Sequence, residues 1–206
     1  MKLYFAPGAC SLSPHIVLHE LGIGFDREKV NLADKKTESG TDYRTVNPKG
    51  YVPALQLDNG DVLTEAAVVV QYLADQHPDK RLAPPAGTIE RYHLMEWLNF
   101  ISTELHKGFS PLFKPGTPEE TKKAALDNIS ARLEFINQKL QGKDYLTGNQ
   151  FGVADAYLFT ILRWATSMKI DLGRWPQVQS YFERIGARPA VHAALQAEGL
   201  MKPPAQ

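Results

Sequence analysis

The chain opens on an apolar run, Leu3-Tyr4-Phe5, that is cut off by Pro7 and Gly8. So short a run ending in turn residues predicts a strand. From Ser11 to Leu21 the apolar positions change period: Leu12, Ile16, Val17 and Leu21 form a helical stripe, and Gly22 closes it. Asp26 to Leu32 predicts a second strand, Tyr43 to Val46 a helical turn, Pro53 to Leu57 a third strand and Asp61 to Leu63 a fourth. Asp58-Asn59-Gly60 joins the last two as a hairpin, because Asn-Gly tolerates positive φ. Glu65 to His77, with Val68, Val69, Tyr72 and Leu73 at helical spacing, returns to helix. The first part therefore reads as βαβ followed by ββα, an α/β unit.

Prolines then interrupt the pattern. Between His77 and Gly87 stand Pro78, Pro84 and Pro85, none of which continues a helix. This assigns residues 1–80 to a first domain, 81–87 to a linker and 88–206 to a second. After the linker the periodicity is helical almost throughout: Thr88 to about Ser110, Pro118 to about Leu140, Val153 to about Met168, Pro176 to about Gly186, and Pro189 to Ala197. Pro118, Pro176 and Pro189 fall at first turns, where proline is tolerated. The second domain reads as an all-α bundle.

Composition narrows the function. Basic and acidic residues balance at 23 each, so no long-range field gathers nucleic acid or an anionic membrane surface. No run is long enough to span a bilayer, and the N-terminus lacks the apolar core of a signal peptide, which leads us to expect a cytoplasmic protein. The single cysteine, Cys10, forms no intrachain disulfide. It stands at the junction of the first strand and first helix, where unpaired N–H groups and the helix dipole favour a thiolate. Cys10-Ser11-Leu12-Ser13 has the Cys-x-x-Ser form, so a disulfide made at Cys10 is resolved only by an external thiol. His15 and His19 lie four apart on the helix, a zinc-compatible spacing, but no third ligand accompanies them and no metal is expected. Asn99, Thr103 and His106 fall at i, i+4 and i+7 on the long helix after the linker, a face able to line a cleft. Trp97, Phe100, Phe109 and Trp164 are expected in the core or in a cleft wall.

Four segments carry a family resemblance over essentially the whole chain: Pro7-Gly8-Ala9-Cys10-Ser11, Asn47-Pro48-Lys49-Gly50-Tyr51-Val52-Pro53-Ala54-Leu55, Leu63-Thr64-Glu65-Ala66 and Gly152-Val153-Ala154-Asp155-Ala156-Tyr157. With Glu104-Leu105-His106-Lys107 they resemble the bacterial beta class of glutathione S-transferases. The resemblance implies an N-terminal thioredoxin-like domain, a helical domain contributing a hydrophobic substrate pocket, a homodimer, and glutathione as cosubstrate with no permanently bound cofactor.

It further implies a site. Cys10, Ser11 and His106 are its catalytic candidates. Val52 and a cis Pro53 would turn backbone groups toward an extended peptide; Tyr51 flanks them. Glu65 and Ala66 would hold the γ-glutamyl end, Lys35 the glycine carboxylate, and Asn99, Thr103, Glu104, Leu105 and His106 would reach glutathione, in part from a partner subunit. The chain departs from its relatives at Ala66, which brings an N–H but no hydroxyl, and at Phe5, which excludes a tyrosine hydroxyl there. At Gly152 the helix loses half of its capping box. The activities left open are conjugation of glutathione to hydrophobic electrophiles with Cys10-dependent thiol–disulfide exchange, a glutathione-dependent reductase, dehalogenase or isomerase, and a non-catalytic carrier.

Overall fold

The computed structural model describes residues 1–201. By their contacts these form two units, Met1–Ala83 together with the residues from Gly186 onward, and Pro84–Ile185.

In the first unit, β1 (Lys2–Phe5) leads into α1 (Leu12–Leu21) and β2 (Asp26–Asn31), which pairs with β1 in parallel with Leu3 opposite Arg27. A two-residue β3 (Lys36–Thr37) then runs antiparallel to the end of β2. The sequence reading lacked this strand, because two residues carry no period. A 3-10 turn at Tyr43–Thr45 precedes the hairpin of β4 (Ala54–Gln56) and β5 (Val62–Thr64). The five strands lie in the order β3-β2-β1-β4-β5, with β4 antiparallel to β1. Both faces of β1 are covered: Leu3 is fully buried, and its neighbours Tyr4 and Ala6 belong to a cluster with Val30, Tyr43, Val52 and Ala54. That explains the unbroken apolar run, since a strand buried on both sides has no polar alternation. α2 (Ala66–Gln76) follows, and buries Val69, Val70 and Leu73.

The last helix of this unit, α8, comes from the far end of the chain. Its span, Pro189–Ala197, matches the periodicity, and its buried face of Val191, Ala194 and Leu195 packs on α1. The linear division at 88–206 does not anticipate this return. The boundary between Ala83 and Pro84, however, falls inside the expected linker.

The second unit starts at α3 (Ile89–Phe100), whose first turn is capped by Thr88 Oγ1 accepting from the Arg91 N–H at 3.3 Å. The helix expected to run unbroken to Ser110 does not. A π turn spans Ile101–His106, with the Lys107 N–H donating to the Ser102 carbonyl, then a 3-10 turn spans Lys107–Phe109 before the short α4 (Ser110–Phe113). The buried stripe Leu94, Leu98, Ile101, Leu105 and Phe109 continues through these changes of pitch. α5 (Glu119–Lys139) buries Ile129, Leu133 and Ile136, and α6 (Val153–Ser167) is buried almost all round, which makes it the central helix of this unit. α7 (Pro176–Gly186) contributes Val178, Tyr181 and Ile185.

Candidate functional site

The first unit brings most of the candidate residues to one end of its sheet. Cys10, partly exposed, lies two residues before α1, and its Sγ–H donates to the carbonyl of Val52 at 3.2 Å. The Val52–Pro53 peptide is cis. The resemblance led us to expect the Val52 carbonyl to face a bound peptide; here it receives the thiol. Ala54 pairs with Thr64, so the hairpin carries Val52 and Pro53 to the same end as Glu65 and Ala66.

Glu65 sits at φ 68°, just ahead of α2, and makes no side-chain bond to its own helix. Its carboxylate instead takes the Lys49 ammonium. Beyond it the N–H groups of Ala66 and Ala67 open the helix, where no intrahelical acceptor exists. Lys35 Nζ donates to the Gly50 carbonyl at 3.0 Å and lies 5.7 Å from the centre of the Tyr51 ring, which is itself exposed. The Tyr51 carbonyl is held by the Tyr43 hydroxyl at 2.9 Å and by Asn47 Nδ2 at 2.7 Å. Burial, with Tyr4 and Cys10 nearby, pushes the Tyr43 hydroxyl up to about 12, so it stays a donor.

Both serines beside the thiol spend their hydroxyls on backbone groups. Ser11 is fully buried; its Oγ accepts from the Ala6 N–H at 3.1 Å and donates to the Ala6 carbonyl at 3.3 Å. It is tied into the loop and does not present its hydroxyl to a thiolate, which corrects its place among the catalytic candidates. Ser13 Oγ donates to the Cys10 carbonyl at 2.7 Å, so the final position of Cys-x-x-Ser holds backbone. His15 and His19 stack at 5.2 Å between ring centres. His15 is engaged by Glu198, and burial with the neighbouring His15 and Arg27 lowers the His19 pKa. No group of three metal-ligating side chains forms among the described residues.

In the second unit, His106 ends the π turn. Its Nδ1 bonds the buried Tyr157 hydroxyl at 2.7 Å, and its ring meets Trp164 edge-on at 4.8 Å. Phe109 and Phe113 stand against the same Trp164 at 5.9 and 5.2 Å, forming an aromatic wall. Trp97 and Phe100 instead cluster with Phe135. Asn99 and Thr103 are exposed, with Thr103 Oγ1 donating to the Asn99 carbonyl. A π turn, with a wider pitch than the α-helix, lies between Asn99 and His106. Glu104 is paired with Arg132, whose Nη2 lies 2.8 Å away. Leu105 is fully buried, which leaves its side chain to the core rather than to a ligand.

Two family models match the chain: the glutathione S-transferase N-terminal domain over residues 8–76 and the C-terminal domain over 100–189. The glutathione S-transferase GstA of Escherichia coli O157:H7 is 49% identical over 200 residues, covering 97% of this chain and all of the relative. The chain belongs to the glutathione S-transferase family.

Solved structures of this family superpose closely. A ternary complex of BphK, a bacterial transferase, is 56% identical with a TM-score of 0.96, over 97% of this chain and 100% of that one. The beta-class glutathione S-transferase of Sphingomonas chungbukensis is 49% identical with a TM-score of 0.95, over 98% and 100%. A sphingomonad glutathione S-transferase complexed with glutathione is 48% identical with a TM-score of 0.94, over the same shares. The beta-class resemblance and the thioredoxin-like fold with a helical second unit are thereby borne out.

Within the family frame, three residues stand out that the sequence reading did not place at the site. Lys49, inside the Asn47–Leu55 segment, occupies the Glu65 carboxylate; its position two residues after Asn47 carried no signal of that reach. Tyr157 fixes the His106 ring from a helix 51 positions away. Glu198 reaches the Cys10 loop across 190 positions, which no local pattern reveals.

Proposed function

We propose that this transferase joins glutathione to hydrophobic electrophiles and uses Cys10 for thiol–disulfide exchange with the same tripeptide. The observation that carries the reading is the Cys10 thiol on the Val52 carbonyl, beside the α2 N-terminus. A γ-glutamyl carboxylate at the Ala66 and Ala67 N–H groups would gain from their unpaired donors and the helix dipole. Its ammonium would compete with Lys49 for the Glu65 carboxylate. Lys35 would meet the glycine carboxylate, and the central cysteine would run past Val52. Asn99 and Thr103, exposed on the second unit, would add polar contacts in a homodimer, the commonest assembly. Ala66 offers no hydroxyl, so one charge-assisted bond of about 1.5–3 kcal/mol is missing relative to a serine there.

In conjugation the glutathione thiolate attacks the electrophilic carbon, and the leaving group departs with the bonding pair. The Cys10 Sγ–H donates a hydrogen bond to that thiolate. The electrophile pocket that the family resemblance gives to the helical unit would draw its apolar surface from the His106, Trp164, Phe109 and Phe113 wall, with His106 as its polar member. In exchange, the Cys10 thiolate attacks a glutathione mixed disulfide, forming Cys10–S–S–glutathione and releasing the other thiol; a second glutathione thiolate then frees Cys10 and leaves as oxidised glutathione. No second cysteine competes, and a reducing, cytoplasmic setting suits a lone thiol of this kind.

Five measurements test the reading. The protein should be retained on immobilised glutathione and turn over a chromogenic aryl halide, and sedimentation should give twice the 23.0 kDa chain mass. Protein purified without reductant should carry a glutathione adduct that Cys10→Ala abolishes. Cys10→Ala should lower exchange by about a hundredfold or more while lowering conjugation about tenfold at most. Full exchange activity in that variant refutes the covalent role, and retention without any turnover points to a carrier.

A further inference from the structure

The loop that carries Cys10 is gripped from the other end of the chain. Glu198, one residue beyond α8, has a side chain with no solvent exposure. One carboxylate oxygen, Oε1, accepts from His15 Nδ1 at 2.8 Å; the other, Oε2, accepts from the Gly8 N–H at 2.8 Å. His15 is fully buried on α1, and Gly8 lies two residues ahead of Cys10. The carboxylate therefore ties together the helix that follows the cysteine and the turn that precedes it.

Burying a carboxylate is costly unless its oxygens are hydrogen-bonded, and here each oxygen has a donor on a different side of Cys10. Gly8 stands at φ 72°, a conformation that favours glycine, and a β-carbon there would meet Leu200 at 3.7 Å. The same C-terminal segment thus holds the turn both by hydrogen bond and by close approach. Ser11 on the Ala6 backbone secures the segment from beneath. The turn Pro7-Gly8-Ala9 is closed by the Ala9 N–H donating to the Ala6 carbonyl at 3.0 Å, and Glu198 takes the Gly8 N–H at its tip.

We infer that Glu198, backed by His15, is a positioning residue for Cys10: it fixes the Gly8 turn and so keeps the thiol seated on the Val52 carbonyl. It touches neither sulfur nor any reacting atom. The relation holds in the protein alone, and its test does not require glutathione turnover.

Because Cys10 is the only cysteine, its alkylation by iodoacetamide in the native protein reads the thiol directly. Glu198→Ala should speed alkylation by about fivefold or more, since the released turn lets the sulfur leave the carbonyl and meet the reagent. Glu198→Gln should stay within about twofold of the parent, because its amide oxygen still accepts from Gly8. Arg188→Ala is the structural comparison: it removes the other α8–α1 tie, the guanidinium on Glu20 at 2.6 and 2.9 Å, without touching the Gly8 turn. It should lower the melting temperature yet leave the alkylation rate unchanged. An unchanged or slower rate in Glu198→Ala, or an equal acceleration in Arg188→Ala, overturns the inference. If Glu198→Ala fails to fold, failure of Glu198→Gln to retain the parent rate does so as well.

Discussion

At the scale of single residues, neighbouring polar side chains take different partners, and burial separates them. Cys10 is partly exposed and its thiol reaches the Val52 carbonyl, whereas Ser11, the next residue, is fully buried and spends its hydroxyl on Ala6. The Cys-x-x-Ser pattern was legible in the sequence. The direction each side chain takes was not, because it depends on where the loop turns before α1. Tyr43 shows the same coupling of burial and role, donating to the Tyr51 carbonyl next to the site with its pKa pushed up to about 12. An unfolded tyrosine ionises near pH 10. Between about pH 10 and 12 the unfolded chain has given up this proton while the folded one keeps it, so the contribution falls as pH rises through that window. Tyr43→Phe should therefore flatten the alkaline decline of stability, measured as urea midpoints across that range. At neutral pH it should cost about 1 kcal/mol, since Asn47 still serves the Tyr51 carbonyl. An alkaline decline as steep as the parent's would show that the Tyr43 proton is not retained.

At the scale of elements, the helices between 89 and 201 follow their periodicity closely, and the exceptions have local causes. The region after Phe100 widens into a π turn, which keeps Leu105 and Phe109 buried while bringing His106 to Tyr157 and Trp164. A period of 3.6 read along the sequence has no way to register that wider turn, so an unbroken helix to Ser110 was expected. Asp155 was read as half a capping box, and it does accept from the Gly152 N–H at 2.8 Å. Its other oxygen serves the Leu146 N–H and the Tyr181 hydroxyl at 2.9 and 2.8 Å, making α6, the preceding loop and α7 one network. Burial, reinforced by Asp155, holds the Tyr181 hydroxyl well above its ordinary pKa. Asp155→Ala strands three buried donors, so it should destabilise the second unit by about 3 kcal/mol or more. Chemical denaturation followed by tryptophan fluorescence would measure this, and a loss under about 1 kcal/mol would mean that the network is replaced by other partners.

At the scale of the whole molecule, the chain order and the contact order differ. Residues from Gly186 onward belong with the first unit, because Val191, Ala194 and Leu195 cover α1 and because Arg188 and Glu198 bond Glu20, His15 and Gly8. Burying Val191 and Leu195 alone is worth about 3–6 kcal/mol. A chain ending at Arg188 should accordingly lose hydrogen-exchange protection in α1 and β1 while α5 and α6 keep theirs. Unaltered protection in α1 would show that α8 is dispensable to the first unit. By itself the sequence determined the alternation of strands and helices, the all-helical second part, the place of Cys10 between the first strand and the first helix, and the family, because these rest on local periods, turn residues and contiguous motifs. Only the tertiary structure decided that Ser11 faces inward, that Lys49 occupies Glu65, that Tyr157 orients His106 and that Glu198 holds the Cys10 turn. Ser11 reaches only Ala6, five positions back, in a turn that carries no period, while the other three contacts join residues 16 to 190 positions apart, and hydrogen bonds at such separations leave no periodic trace in a single chain.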